Sequence, residues 1–369
     1  MRVGLTIGAL GTGGSERQLC ELAAGLASRG HAVEVGLYDG EGAWDSWLAS
    51  RSVVIRHGRP GSRVEKVRWM RDWLSAARLQ VIHGFMKRAS SLAILGNLPS
   101  RQVKIVATDL STATYGRHKP VLWGALFLYA LADVVATQTE TNRRSLARLA
   151  PWLRRRLRVI RNGVDTERFS PAQRRGHGEP FCFACVGTVY RVKNPVRVVH
   201  AVQLLIERGV RGFRVEWYGR PGLDEGRPSE AYRQATTLIA TRGLSDYVQF
   251  FGPRSDIENA YRTADAFLHV SVQEGIPNAV VEAMACGLPV VVSRVSDLPV
   301  IVAAAKNGFV CDETRPESIA DAMEAMFHTP AMERAAMGAR SRELAVRWFG
   351  MERFVGAYEA LYQELLKTS

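Results

Sequence analysis

Two glutamates around a short predicted helix are the residues of this sequence whose types and spacing best suit chemistry. Glu274 follows the end of a predicted strand, and Glu282 stands eight positions later, beyond Gly275, Ile276 and Pro277. The N-terminus of a helix attracts negative charge and can hold a diphosphate, while each carboxylate can accept two hydrogen bonds from neighbouring hydroxyl groups. This pattern predicts a binding site for a nucleotide sugar.

The predicted helix is short because signals bound it at both ends. Asn278 is expected to cap its start, and Gly287 with Pro289 ends it. Glu282 then lies about one turn into the helix, where we expect it to bind the ribose, whereas Glu274 binds the transferred sugar. Two solvated surface carboxylates are the alternative. Replacing Glu282 by alanine is expected to abolish the thermal response to the donor and to leave the melting temperature of the free protein nearly unchanged.

A glycine-rich turn near the N-terminus is a second candidate for binding a phosphate or a sugar. Gly11, Gly13 and Gly14 stand between a predicted strand, 2–9, and a predicted helix, 15–29. Glycines permit a tight turn and let backbone N–H groups approach a ligand at the start of a helix. A nicotinamide dehydrogenase is the competing interpretation, but the spacing differs from G-x-G-x-x-G.

The elements that must position these residues alternate between strands and helices along the chain. The alternation restarts after a polar segment rich in Pro, Gly and Arg at 170–180, and 369 residues are enough for two domains. We therefore predict an α/β fold with two Rossmann-like, doubly wound domains that face each other across a cleft. The predicted bounds are 1–175, 176–350 and a C-terminal helix, 351–369, that packs back on the first domain.

The positive charge of the chain is confined to its first half. Residues 1–180 hold 28 Lys and Arg against 14 Asp and Glu, whereas the remaining residues hold 21 against 22. The same half contains Trp44, Trp47, Trp69, Trp73 and Trp152. This combination favours an anionic membrane surface or a phosphate-bearing acceptor, with a merely solvated basic face as the alternative. Nucleic acid is not expected, because no nucleic-acid-binding motif accompanies the charge.

Cysteine usage and hydropathy indicate where the protein works. Five cysteines are an odd number in a chain that opens on a predicted strand, which indicates reduced thiols in a cytoplasmic protein. The basic first half adds the expectation that this protein associates with the inner face of the cell membrane. Cys182 and Cys185 are predicted on opposite faces of one buried strand. The longest uncharged segment, 120–132, is too short to span a bilayer. We expect neither a metal nor another cofactor, because no ligand-spaced cluster occurs.

These motifs make the sequence resemble the retaining glycosyltransferases of family 4, which have the GT-B fold. Glu274 and Glu282 match the E-x7-E motif of that family. The resemblance spans nearly the whole chain. Its further matches are Gly13-Gly14-Ser15-Glu16-Arg17, Asn162-Gly163-Val164-Asp165 with Phe169, and Val186-Gly187-Thr188 followed by Lys193-Asn194.

The resemblance implies a reaction and a substrate class. It implies transfer of a sugar from a nucleoside-diphosphate sugar to a glycan or lipid-linked acceptor, in the assembly of bacterial cell-surface polysaccharide. UDP is the favoured nucleotide and GDP the alternative. The anomeric configuration is retained by front-face departure of the diphosphate, without an enzyme nucleophile. A nucleotide-sugar epimerase or hydrolase of the same fold, and an inactive nucleotide-sugar-binding protein, are the alternative interpretations.

The resemblance also implies roles for single residues. Lys193, Glu274 and Asp109 are the implied catalytic residues. Thr188 stands where the family has an arginine, which removes one positive charge unless Arg191 supplies it. The implied donor contacts besides Lys193 and Glu274 are Gly13, Gly14, Gly187, Thr188, Arg254, Gly275, Ile276, Pro277, Asn278 and Glu282, and the implied acceptor contacts are Ser15, His83 and His118.

Overall fold

The structure, a computed structural model, describes residues 1–11, 13–98, 100–109, 120–172, 180–224 and 226–367. Contacts among them separate two units. Unit 1 is residues 1–163 with the helix that begins at Met351, and unit 2 is Val164–Gly350. Each unit has its own parallel β-sheet, with a hydrophobic core on either face. The predicted pair of Rossmann-like α/β domains is confirmed.

Unit 1 contains seven parallel strands in one sheet. They are β1 (Arg2–Ile7), β2 (Ala32–Leu37), β3 (Val54–His57), β4 (Val81–Phe85), β5 (Lys104–Asp109), β6 (Val134–Thr137) and β7 (Leu157–Val159). Their order across the sheet is β3-β2-β1-β4-β5-β6-β7. The winding therefore reverses between β1 and β4. In open α/β sheets ligands bind beside such a reversal, at the carboxyl ends of the strands.

The helices of unit 1 cover both faces of its sheet. The C-terminal helix, Met351–Lys367, packs on the first helix of the chain and contributes Tyr358 and Tyr362 to the core. Arg29 holds the two together by an ion pair with Glu359 at 2.6 Å. The other helices are α1 (Gly14–Ser28), α2 (Asp45–Ala49), α3 (Arg63–Ala76), α4 (Met86–Gly96), α5 (Pro120–Tyr129) and α6 (Glu140–Leu149).

Unit 2 contains a six-stranded parallel sheet and a small antiparallel hairpin. The strands are β8 (Phe181–Val186), β9 (Phe213–Tyr218), β10 (Leu223–Asp224), β11 (Arg227–Pro228), β12 (Val248–Gly252), β13 (Ala266–His269), β14 (Val290–Ser293) and β15 (Gly308–Cys311). The order in the main sheet is β12-β9-β8-β13-β14-β15, and β10 pairs with β11. The reversal of winding lies between β8 and β13, so the carboxyl ends of these two strands are the expected place for a ligand.

Seven α-helices of the described chain belong to unit 2. They are α7 (Pro195–Glu207), α8 (Glu230–Thr241), α9 (Ile257–Thr263), α10 (Asn278–Ala285), α11 (Leu298–Ala305), α12 (Pro316–His328) and α13 (Ala331–Phe349). Among all helices in the described ranges, none is long and apolar enough to cross a membrane.

The chain changes units earlier than the predicted boundary at residue 175. The backbone N–H of Val164 donates to the carbonyl of Phe349 at 2.7 Å, and Phe169 is buried in the core of unit 2. Arg342 binds the carbonyl oxygens of Thr166 and Phe169 at 2.9 and 2.8 Å. Segment 164–172 therefore belongs to unit 2, because the Phe169 ring and the carbonyl groups of Thr166 and Phe169 have their partners in that unit. Most of the predicted linker lies outside the described residues.

All five cysteines are buried free thiols. Cys182 and Cys185 face opposite sides of β8, because one belongs to the core beneath α10 and the other to the core beneath α7. Burial raises the pKa of the Cys182 and Cys286 thiols to about 12. The thiols are therefore protonated at neutral pH and act as small apolar core residues. The strand pattern predicted this for Cys182 and Cys185.

Candidate active site

Residues with complementary charges meet at the carboxyl ends of β8 and β13 in unit 2. β8 is followed by Gly187 and, after a short loop, by a 3-10 turn at Arg191–Lys193. β13 is followed by Glu274 within the loop that leads into α10. Since β8 and β13 are parallel neighbours, the two loops emerge at the same edge of the sheet. This edge is the predicted ligand site.

Lys193 and Glu274 form an ion pair at this edge. Lys193 Nζ lies 2.5 Å from Glu274 Oε1, and their side chains are 26% and 14% exposed. His269, the last residue of β13, places its Nε2 at 3.1 Å from the same oxygen. None of the contacts among described residues falls on Oε2 of Glu274. One carboxylate oxygen is therefore used to fix the side chain, and the other can accept from a ligand hydroxyl.

The protonation states of the cluster follow from its burial and charges. Burial opposes the charged form of Glu274, but the Lys193 ammonium and the His269 hydrogen bond lower the pKa of this carboxyl to about 2. Burial and the same ammonium lower the pKa of His269, despite the opposing effect of Glu274. Glu274 is thus ionised and His269 neutral at pH 7. Because a carboxylate only accepts, His269 Nε2 carries the proton that it donates to Glu274.

The backbone beside Lys193 requires glycine at two positions. Gly187 has φ +143° and lies next to Gly219, where a Cβ atom would be 2.1 Å from the carbonyl oxygen of Gly187. Trp217 Nε1 donates to that same oxygen at 2.8 Å. The loop is therefore held firmly against the end of β9. Thr188 follows with an exposed side chain, so its position, where the resemblance expects an arginine, faces solvent.

Helix α10 carries the second glutamate of the motif. Its N-cap is Pro277, one residue before the predicted cap, because proline already has an extended conformation with φ −70° there and Asn278 takes the first helical position. Glu282 is only 4% exposed, and its Oε2 accepts a hydrogen bond from the Tyr261 hydroxyl at 2.9 Å. The two glutamates thus have separate partners, since Glu274 is held by Lys193.

The segment between the glutamates is well packed. Ile276 and Pro277 are buried, whereas Gly275 and Asn278 are half-buried. Beyond the helix, Gly287 lies against α13, where a Cβ atom at Gly338 would be 2.1 Å from the Gly287 carbonyl oxygen. This close approach sets the distance between α10 and α13.

Arg254, one of the implied donor contacts, lies on the surface after β12. Its guanidinium pairs with Asp256 at 2.9 Å and lies 5.8 Å from the centre of the Tyr218 ring. The Tyr218 ring in turn stacks on Phe251, with centroids 5.3 Å apart, and Phe251 is 48% exposed. This implied donor contact is therefore accompanied by an exposed aromatic ring, that of Phe251.

The glycine turn of unit 1 precedes α1 as predicted. Gly13 is the N-cap, with φ −78° and ψ 165°, and Gly14 and Ser15 begin the helix. Gly13 and Gly14 are exposed, and Ser15 is half-buried. A Cβ atom at Gly13 would lie 2.3 Å from the carboxylate of Glu16, so a larger residue would displace this side chain. The two glycines are therefore exposed at the start of α1, beside the Glu16 carboxylate.

Asp109 ends β5 and is fully buried. Lys87 Nζ lies 3.5 Å from its Oδ1, and Asn142 donates to its carbonyl oxygen at 3.0 Å. Lys87 follows Met86, which has φ +72°. A positive φ at a residue other than glycine is strained and is held by its surroundings. Here the strained turn between β4 and α4 presents Lys87 to Asp109.

His83 has a structural environment that argues against its predicted contact with an acceptor. The side chain is fully buried, with Nδ1 at 2.7 Å from the Tyr362 hydroxyl and Nε2 against the Thr108 hydroxyl. Its ring also packs on Phe85 and Tyr358. Both nitrogens are occupied because β4 turns this residue towards the C-terminal helix. The other predicted acceptor histidine, His118, lies outside the described residues.

The burial of His83 gives a testable dependence of stability on pH. Burial lowers the pKa of His83 from 6.5 to about 3. Because the unfolded chain binds a proton that the folded chain excludes, its contribution to stability is complete above about pH 6.5 and declines as the pH falls towards about 3. We expect the midpoint of urea unfolding to decrease from pH 7 to pH 5 more steeply in the wild type than in His83→Asn. Equal slopes would contradict this assignment.

Metal binding finds no support in the described part of the chain, which contains no group of three or more His, Cys, Asp or Glu side chains placed to hold an ion. Metal independence stays a prediction.

Several residues of the site were missed by sequence reasoning. His269 holds Glu274, Tyr261 holds Glu282, and Gly219 makes room for Gly187. His269 could have been found, because a polar residue at the carboxyl end of a predicted central strand faces the ligand edge. Tyr261 gives no such signal, since it lies in another helix, 21 residues before its partner.

Two family models match adjacent parts of this chain. The model described as Glycosyltransferase Family 4 matches residues 12–168, and the model described as Glycosyl transferases group 1 matches residues 167–344. Together they contain the glycine turn, Lys193 and both glutamates of the motif. The match agrees with the resemblance inferred from the motifs.

Two named relatives are each 26% identical to this chain over the matched residues. A D-inositol 3-phosphate glycosyltransferase from Saccharomonospora viridis is 26% identical over 361 residues, which cover 95% of this chain and 75% of the relative. A UDP-Gal:alpha-D-GlcNAc-diphosphoundecaprenol alpha-1,3-galactosyltransferase from Escherichia coli is 26% identical over 220 residues, which cover 57% of this chain and 55% of the relative. Several other curated relatives are likewise matched over about half of their own length.

A solved structure supports the fold. HepE from Anabaena, in complex with UDP and glucose, aligns with 98% of this chain and 99% of its own, with a TM-score of 0.83 and 18% identity. Identity at this level supports the fold alone. The two family models, which together match residues 12–344, show that the chain belongs to the family 4 glycosyltransferases, and the solved structure supports their GT-B fold.

Proposed function

We propose that this glycosyltransferase transfers a sugar from a nucleoside-diphosphate sugar to a glycan or lipid-linked acceptor, with retention of the anomeric configuration. The proposed donor is a UDP-sugar, with a GDP-sugar as the alternative. The proposed setting is the assembly of bacterial cell-surface polysaccharide, with the protein in contact with the inner face of an anionic membrane. No metal takes part in this proposal.

The observation that carries the proposal is the cluster of Lys193, Glu274 and His269. It combines a cation for a diphosphate with a fixed carboxylate for sugar hydroxyls, at 2.5 Å from each other. The Lys193 side chain is 26% exposed, so its ammonium can reach a ligand while it stays paired. Such a pair suits the moment of bond cleavage, because the leaving diphosphate becomes more negative and the sugar more positive.

The proposed mechanism is electrostatic. As the bond between the sugar and the diphosphate breaks, Lys193 and the start of α10 stabilise the leaving group. Glu274 Oε2 accepts from the hydroxyls of the transferred sugar. Retention then requires the acceptor to attack from the face that the diphosphate leaves, and no enzyme nucleophile is invoked.

The names of similar proteins support the substrate classes. The Escherichia coli relative is named for a UDP-sugar donor and a diphosphoundecaprenol acceptor. HepE was crystallised with UDP and glucose. A lipid-linked acceptor also fits the excess of Lys and Arg in residues 1–180, since phosphate groups and anionic headgroups carry the opposite charge.

A screen of nucleotide sugars by thermal shift tests the donor. A ligand present at about 100 times its dissociation constant stabilises the folded protein by about 2.7 kcal/mol. We expect a UDP-sugar to raise the melting temperature more than UDP alone. Product analysis with an acceptor panel then separates the alternatives, because transfer yields free UDP and a new glycoside. Hydrolysis or epimerisation without a glycoside would contradict the proposed function.

The Glu282 prediction needs a different variant from the alanine considered above. Glu282→Ala would leave the buried Tyr261 hydroxyl without its acceptor, a loss that typically costs about 1–3 kcal/mol of stability. Glu282→Gln keeps the volume and an oxygen for Tyr261 but removes the charge and one acceptor. We expect Glu282→Gln to melt close to the wild type and to lose most of the thermal shift produced by the donor.

Tyr261→Phe is the matched control for this prediction. It removes the hydroxyl group that holds Glu282 and leaves the carboxylate in place. Donor binding should therefore weaken less than in Glu282→Gln. A full donor shift in Glu282→Gln would remove this residue from the proposed site.

A further inference from the structure

An exposed pair of stacked aromatic rings lies on unit 1, away from the candidate site. The rings of Phe127 and Trp152 are parallel within 3°, with centroids 5.1 Å apart. The two side chains are 60% and 40% exposed, and Leu131 beside them is 37% exposed. Trp152 Nε1 donates to the carbonyl of Leu126 at 3.4 Å, which orients its ring against the last turn of α5. Solvation of so much aromatic surface is unfavourable without an occupant.

The pair lies at the amino ends of the strands of unit 1. Residues 130–133 lead into β6 and residues 154–156 lead into β7, and Arg156 Nε bridges the two segments by donating to the Ala132 carbonyl at 2.8 Å. Asp109 lies at the carboxyl end of β5, so it is on the opposite side of the sheet along the strand direction. A surface at this edge is therefore separate from the candidate site of unit 1.

Three exposed arginines lie within four residues of Trp152 in the chain. Arg148 lies in the last turn of α6, and Arg154 and Arg155 follow the short turn that carries Trp152. Arg154 lies over the end of α6, where its Nε donates to the Ala147 carbonyl at 3.2 Å. The nearby acid, Asp133, is already paired with Lys104. The rim of the aromatic pair therefore has a net positive charge.

The other four tryptophans named for membrane contact do not offer such a surface. Trp73 is buried and stacks on the half-buried Trp69, and Trp44 and Trp47 are half-buried. The structure thus reduces the five tryptophans considered for membrane contact to Trp152.

We propose that Phe127, Leu131 and Trp152 form a membrane-docking surface, which inserts its rings into the headgroup layer of an anionic bilayer while Arg148, Arg154 and Arg155 bind the headgroups. This inference rests on the proposed function for its setting, because a lipid-linked acceptor requires the enzyme at a bilayer. Tryptophan prefers the interface between headgroups and acyl chains, and each arginine near an anionic surface adds about 1 kcal/mol. Charge complementarity favours a lipid surface over a neutral protein partner.

Vesicle binding tests the charged rim. Full-length protein is mixed with vesicles of phosphatidylcholine and phosphatidylglycerol, or of phosphatidylcholine alone, and bound protein is measured after sedimentation. We expect binding to the anionic vesicles, weakened by high salt. The triple variant R148Q/R154Q/R155Q should partition roughly 100-fold less strongly. A matched triple variant in α3, R63Q/R68Q/R71Q, removes the same charge from exposed positions of the same unit and should have a much smaller effect.

Quenching by brominated lipids tests the rings directly. The chain has eight tryptophans, and only those that reach the lipid are quenched. We expect brominated phosphatidylcholine in the anionic vesicles to quench the wild type, and Trp152→Phe to bind as well but to lose most of the quenching. The variant F127A/W152A should bind more weakly, with an unchanged circular dichroism spectrum because both side chains are partly exposed.

The outcomes separate this inference from the proposed function. Equal losses in the two arginine triples, undiminished quenching in Trp152→Phe, or no binding to anionic vesicles would overturn the docking surface. Transfer to an acceptor free in solution is measured in parallel and should be unchanged in every docking variant, because the surface and Asp109 lie at opposite edges of the sheet. Absence of transfer in the wild type would instead count against the proposed function.

Discussion

Replacing Lys193 with glutamine is expected to lower kcat by about 10²–10³-fold, with a smaller change in KM. Its ammonium is the charge that meets the leaving diphosphate in the proposed mechanism, so its contribution is largest in the transition state. The substitution also leaves Glu274 in its 14% exposed position without a counter-ion, which raises the pKa of that carboxyl. Steady-state kinetics with the donor identified by thermal shift measures the effect.

Arg208→Gln is the matched control for Lys193→Gln. Arg208 follows the far end of α7 and is likewise paired with acids, Asp321 and Glu324, both at 2.8 Å. Its loss removes the same charge from unit 2 and should leave kcat unchanged. The double variant K193Q/E274Q tests coupling, since two residues that act as one pair give non-additive losses. Additive losses, or an effect of Arg208→Gln equal to that of Lys193→Gln, would refute the proposed role of Lys193.

Gly338→Ala is expected to destabilise the protein by about 1–3 kcal/mol, although alanine normally favours a helix over glycine. The new Cβ would lie 2.1 Å from the backbone carbonyl oxygen of Gly287, so α13 and the end of α10 would have to move apart. Because α10 carries Glu282, weaker donor binding should accompany the loss of stability. Urea unfolding and the thermal shift with donor measure the two effects.

Gly356→Ala, in the C-terminal helix, is expected to stabilise the protein, in contrast to Gly338→Ala. A Cβ there would lie 3.4 Å from Arg29 Nη1, the end of a flexible side chain, so the helix preference of alanine should prevail. We expect a gain of about 0.5–1 kcal/mol. If Gly338→Ala also stabilised the protein, the close approach of α10 and α13 would not be a constraint.

Much of the fold was predictable from the periodicity of apolar residues and from the glycines and prolines that end the elements. The helix Gly14–Ser28 begins and ends one residue before the predicted helix, 15–29. The boundary between the units was predicted too late in the chain, because 164–172 is a loop without a periodic pattern. Its membership of unit 2 depends on where Phe169 and its neighbouring carbonyls find partners, which is a tertiary property.

The candidate site was predictable in part. The family resemblance implied that Lys193 and Glu274 belong to one site, and the two side chains form an ion pair. The sequence did not reveal that His269 fixes Glu274, nor that Tyr261 fixes Glu282, because these partners come from separate elements. His83 was misinterpreted because a histidine in a strand has the same pattern whether it faces a ligand or a neighbouring helix.

The buried thiols allow transient opening of the protein core to be measured on the wild-type chain. Cys20 belongs to unit 1, whereas Cys182, Cys185, Cys286 and Cys311 belong to unit 2, and all five are inaccessible in the folded state. A thiol-specific reagent can therefore react only when the surrounding core opens. Timed alkylation followed by peptide mass spectrometry would report the opening rate of each half of the molecule separately, without introducing a single dye or mutation.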